Sequence, residues 1–106
     1  MTTPDTYPIR IELPLHLRRL ANLPSHEAVL DISSPITLRS ILDALEARYP
    51  MLRGTSRDHT THERRAFLRF FVCQEDWTHH SADTPLPEAI TTGAESLLIL
   101  GAIAGG

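Results

Sequence analysis

Ile9, Ile11, Leu13 and Leu15 alternate with Arg10, Glu12 and Pro14, the period of two that buries one face of a strand and wets the other. A first strand is predicted at Ile9–Leu15. His16–Leu23 (HLRRLANL) has room for one or two helical turns before Pro24 and Ser25 break them. Ala28, Leu30 and Ile32 alternate with Val29 and Asp31, a second strand near enough in sequence to pair antiparallel with the first. The period then changes. Leu38, Ile41, Leu42, Leu45 and Tyr49 recur at steps of three and four and line one face of an amphipathic helix, with Arg39, Asp43, Glu46 and Arg48 outside. Thr37, or Ser34 followed by Pro35, can cap its first turn, and Pro50 stops it.

Between Arg53 and Arg65 (RGTSRDHTTHERR) no large apolar side chain appears, so an exposed loop is expected. Phe67–Cys73 (FLRFFVC) has the aromatic and β-branched composition of a core strand. Gln74-Glu75-Asp76 reads as a turn, and Thr84–Ala89 (TPLPEA) as a turn or a single helical turn. Leu97–Leu100 closes the series as a last strand, with Gly101–Gly106 (GAIAGG) running on as a tail. One helix on a mixed sheet of four to five strands makes the class α+β.

Composition narrows this picture. The chain has 106 residues, the size of a single domain, and residues 1–106 are expected to form one, with 101–106 as an extended C-terminal tail. Thirteen acids face ten bases for a net charge of −3, with no basic block, so nucleic acid is not expected as a partner. All ten bases are arginine; a Schiff-base lysine and a P-loop lysine are both excluded. Cys73 is the single cysteine, which excludes an internal disulfide and fits the cytoplasm. The start, MTTPDTYP, lacks the basic and apolar regions of a secretory signal. The longest apolar run, Leu97–Ala104, is broken by Gly101 and falls far short of the ~20 residues of a membrane-spanning helix, so no membrane association is expected.

Little of the side-chain chemistry is arranged for catalysis. His59 and His62, and the pair His79-His80, lack a second pair of ligands at metal spacing and read as surface histidines, with Asp58 and Glu63 as loop charge. Glu75-Asp76 reads as turn charge, Arg64, Arg65 and Arg69 as a solvated face, and Cys73 as an ordinary half-buried thiol. Trp77 fits either a core lid or an interface anchor. No catalytic residues and no metal site are expected. The Gly105-Gly106 pair stands apart: at a glycine frequency of roughly 7%, two in succession at a given place arise by chance about 0.5% of the time. Two residues without Cβ atoms can enter a narrow tunnel and carry a main-chain carboxylate to a nucleotide or a second substrate.

Taken together, the strand at Ile9–Leu15, the LRRLAN stretch at Leu17–Asn22, the LDALEARYP helix end at Leu42–Pro50, the FLRFFVCQEDW strand at Phe67–Trp77 and the closing LLILGAIAGG resemble the MoaD/ThiS family of ubiquitin-like sulfur carriers. The resemblance implies a β-grasp fold and a carrier, not an enzyme. It implies that a separate, E1-like activating enzyme adenylates Gly106 with ATP and that sulfur then replaces AMP to give a thiocarboxylate. No permanently bound cofactor is implied. Gly101, Ala102, Ile103, Ala104 and Gly105 are implied to enter the partner, which in the molybdopterin branch is the large subunit of molybdopterin synthase. Cysteine and thiamine biosynthesis are the other branches. The length of Arg53–Arg65 argues against the thiamine one. The family usually follows its Phe-Val with asparagine and then glycine or aspartate; Cys73-Gln74 departs from that, so a longer turn is expected there. Two other readings of the same fold are a ubiquitin-like protein modifier and a binding module that regulates a partner through its sheet.

Overall fold

A computed structural model describes residues 6–54 and 68–101. Five strands, β1 (Thr6–Glu12), β2 (Glu27–Ser33), β3 (Leu68–Val72), β4 (Glu75–Asp76) and β5 (Leu97–Gly101), form one mixed sheet in the order β2-β1-β5-β3-β4. Three helices, α1 (Leu15–Leu20), α2 (Leu38–Arg48) and α3 (Glu88–Thr91), and a 3₁₀ turn at Pro50–Leu52 complete the described elements. β1 and β2 pair antiparallel along their whole length, Thr6 opposite Ser33 through Glu12 opposite Glu27. β5 then enters the centre, parallel to β1 (Ile11 opposite Leu97) and antiparallel to β3 (Phe70 opposite Ile99).

The alternation read in the first two strands puts Ile9, Ile11, Leu30 and Ile32 on the inner face, where β3 and β5 add Phe70, Val72, Leu97 and Ile99, and all eight are buried. Leu38, Ile41, Leu42 and Leu45 of α2 cover that face, and the whole set forms one core with Leu17, Leu52 and Ile90. α2 begins where its cap predicts. The Thr37 hydroxyl accepts the Ser40 backbone N–H at 3.1 Å, and the Ser40 hydroxyl accepts the Thr37 N–H at 2.9 Å, which satisfies donors the helix itself leaves free. Arg10 ties three segments together: it donates to both carboxylate oxygens of Glu27 at 3.0 and 2.8 Å and to the Gly93 carbonyl at 2.8 Å.

Glu46, expected outside the apolar face of α2, is itself buried, and three further differences from the sequence reading bear on the site. β1 starts at Thr6 and stops at Glu12, because Pro14 opens α1; Leu13 stays buried, but Leu15 leaves the strand's inner row and becomes 50% exposed. Glu75-Asp76 is a strand instead of a turn. The reversal is the tight two-residue loop Cys73-Gln74, both in the left-handed region (φ 50° and 69°), with Val72 opposite Glu75. The longer turn expected there is therefore absent. Its cause lies beyond it: the Trp77 N–H donates to the Phe70 carbonyl at 2.7 Å, and the buried Thr78 hydroxyl accepts the Phe70 N–H at 3.0 Å. Burial of Trp77 (9% exposed) draws the chain straight back along β3. Lastly, β5 includes Gly101, which pairs with Leu68. Among the described residues no helix is long and apolar enough to cross a membrane.

Candidate functional site

The residue that leads into Ala102–Gly106 is Gly101, and the topology decides what surrounds it. Because β5 runs parallel to β1, both strands finish at the same end of the sheet, and the element that follows β1 is α1. α1 thus lies beside the place where the chain leaves β5. Contact is close: a Cβ built on Gly101 would stand 2.9 Å from His16 Cε1 and 3.8 Å from Pro14 Cβ. Pro14, Leu15, His16, Arg19 and Gly101 line an open groove of about 330 Å³. Asn22, left-handed at φ 56°, ends α1, and the Leu23 N–H returns to the Arg18 carbonyl at 2.9 Å, which turns the chain towards β2.

Of the tail residues singled out in the sequence, Gly101 belongs to β5, and Ala102, Ile103, Ala104, Gly105 and Gly106 lie outside the described residues, as do Asp58, His59, His62, Glu63, Arg64 and Arg65. Trp77 is part of the core, and the ring of His80 stacks on it at 4.2 Å and 10°. Cys73 lines a shallow hollow of about 190 Å³ with Glu12, Glu95 and Ser96, at the hairpin end of β3 and away from Gly101. Asp76 is held below the usual carboxylate range, first by hydrogen bonds from Thr78 and then by Arg69, whose guanidinium lies 3.2 Å away. Its role is to fix the strand. Among the described residues no three of His, Cys, Asp and Glu gather where they could hold one metal ion.

Sequence reading passed over Leu15, His16 and Arg19. The available signal was the acid-free stretch from Leu13 to His26 in an otherwise acidic chain. Spacing adds to it, since positions 15 and 19, and 16 and 20, fall one helical turn apart on one face.

No family model and no curated protein matches the sequence. The structure is similar to the crystal structure of SAMP1 from Haloferax volcanii, with a TM-score of 0.65 over 92% of this chain and 97% of that one, at 18% sequence identity. At that identity the likeness is one of fold. The mixed five-stranded sheet with the last strand at its centre and α2 across one face is a ubiquitin-like β-grasp.

Proposed function

We propose that the chain is a sulfur carrier whose Gly106 carboxylate is activated by an E1-like adenylating enzyme and converted to a thiocarboxylate, with molybdopterin synthesis as the pathway served. What supports this reading is a sequence that runs on from the central strand of a β-grasp sheet and, within five residues of Gly101, reaches the Gly105-Gly106 pair. Five residues beyond Gly101 span about 17 Å when extended. That is enough to carry a carboxylate into a partner's active site while the folded body stays outside. A carboxylate resists nucleophiles because of its charge. Transfer to the α-phosphorus of ATP expels pyrophosphate and gives a neutral acyl group bearing AMP as leaving group. Attack by sulfide then expels AMP and leaves the sulfur on Gly106. The absence of lysine supports a carrier further, since the activated end meets no side-chain amine in its own chain. The large synthase subunit is the proposed recipient and the cytoplasm the proposed compartment.

The test is intact-mass analysis of the full chain after incubation with ATP, sulfide and the adenylating enzyme encoded in the same genome. One oxygen exchanged for one sulfur is expected, lost on deletion of Gly106 with thermal stability unchanged. Recovery of only the unmodified chain would refute the reading. Covalent attachment to lysines of other proteins, in place of the thiocarboxylate, would convert it to that of a protein modifier.

A further inference from the structure

We infer that the exposed face of α1, formed by Leu15, His16, Arg19 and Leu20 and continuous with the groove over Gly101, is the seat of the adenylating enzyme, and that the surface it receives is apolar with a carboxylate rim. The inference deepens the carrier reading and rests on it.

Geometry makes the first half of the case. An enzyme that reaches Gly106 has its reacting centre within about 17 Å of Gly101. A specific interface covers about 800 Å² on each partner, equivalent to a disc about 16 Å in radius. His16 and Pro14 already touch the position of a Gly101 side chain, and six helical residues extend only about 9 Å. A footprint centred on Gly101 therefore takes in the whole of α1. Three of the five exposed large hydrophobic side chains among the described residues lie on or beside it. Leu15 is 50% and Leu20 48% exposed, and Met51, on the 3₁₀ turn against which α1 packs, is 48% exposed.

Charge supplies the second half. From Leu13 to His26 the chain carries two arginines and two histidines and no acid, within a net charge of −3. Arg19 is exposed at the groove wall. The nearest acids flank this stretch on the β1–β2 ladder, where Glu12 lies 4.0 Å from His26 and Glu27 is taken by Arg10. The lining of the groove over Gly101 therefore carries the Arg19 guanidinium and no carboxylate. Complementary carboxylates on the enzyme would meet Arg19 and fix the register of its approach.

The experiment measures the carrier concentration that half-saturates ATP–pyrophosphate exchange by the same adenylating enzyme. It compares the parent chain with Arg19→Glu, Arg19→Ala and Leu15→Ser, all with the tail intact, and with Val29→Asp on the distant strand β2 as the control. Reversal at Arg19 is expected to raise the half-saturating concentration about tenfold, since rim charges act on encounter and register. Arg19→Ala and Leu15→Ser should raise it less, the rate at saturation should hold, and Val29→Asp should match the parent. Added salt should weaken the parent more than Arg19→Glu. Thermal melts show that each variant is folded, and should Arg19→Glu lose its fold, the two milder variants decide the matter. Half-saturation equal to the parent in the α1 variants overturns this inference and leaves the carrier reading standing. No exchange with the parent chain overturns both.

Discussion

Replacing Gln74 by glycine should stabilise the protein. Gln74 is the second residue of the Cys73-Gln74 loop, at φ 69°, and its side chain is exposed, so its removal forfeits no core packing. A left-handed backbone costs an L residue about 1–2 kcal/mol, because its Cβ crowds the following carbonyl. Glycine avoids that cost but loses about 0.5–1 kcal/mol through the greater freedom of its unfolded chain. The balance favours Gln74→Gly by about 0.5–1 kcal/mol, and at ~4–8 °C per kcal/mol for a domain near this size the midpoint should rise about 2–8 °C. Cys73 is a poorer place for the test, since its side chain packs partly against the core. The assay is paired thermal and urea unfolding of the full chain, with Gln74→Val as the counterpart. A β-branched side chain at positive φ should move the midpoint the other way. A Gln74→Gly protein no more stable than its parent would mean that the left-handed turn stores no strain, and the account of the hairpin would fail.

The cap of α2 offers a second measurement. Thr37→Ala removes the hydroxyl that accepts the Ser40 N–H, and should cost about 1 kcal/mol in urea unfolding; a change near zero would show that the capping box contributes nothing. A third concerns acid. The hydrogen bond and charge of Arg10 hold the Glu27 carboxyl below its ordinary value of 4.5. Its contribution is therefore complete above that value and is lost as the pH falls through the lowered one, where the folded state must also take up the proton. Glu27→Gln should flatten that part of the acid limb of stability against pH, and an acid limb identical to the parent's would refute the pairing. At near-neutral pH the pair, part-exposed on both sides, should be worth no more than about 1 kcal/mol in a double-mutant cycle.

The elements legible in the sequence are those whose burial repeats locally. α2 shows its apolar face at steps of three and four and carries its cap at Thr37, so its position follows from one stretch of chain. β2 and the inner row of β1 are equally plain. The misread parts are settled by contacts far along the chain. Leu13 and Leu15 continue the period of two, but only Leu13 is buried; Pro14 turns the chain into α1, whose short length buries Leu17 and Ala21 and leaves Leu15 and Leu20 outside. β4 is two exposed acidic residues with no strand pattern at all. It exists because Trp77 and Thr78 are anchored to Phe70. The Gly-Gly pair was visible as composition, whereas the groove beside its root needed the parallel pairing of β1 with β5, which period cannot disclose.

That pairing also bears on the proposed carrier role, in which residues beyond Gly101 would be drawn into a partner without disturbing the body. Had β5 been an edge strand, a force on residues beyond Gly101 would bear on a single ladder. Here β5 is held by β1 on one side and β3 on the other. Leu97 and Ile99 are fully buried beneath it, and Leu68 pairs with Gly101 at its last position. Strain applied from the tail must break pairing on the β3 side residue by residue, beginning at Gly101, before it reaches Ile99. The β1 side is engaged deeper, at Leu97 and Leu98. The first position to yield is therefore the one that His16 and Pro14 flank. A partner seated on α1 would cover that joint at the moment it draws the tail in, so that recognition and protection of the fold fall on the same few residues.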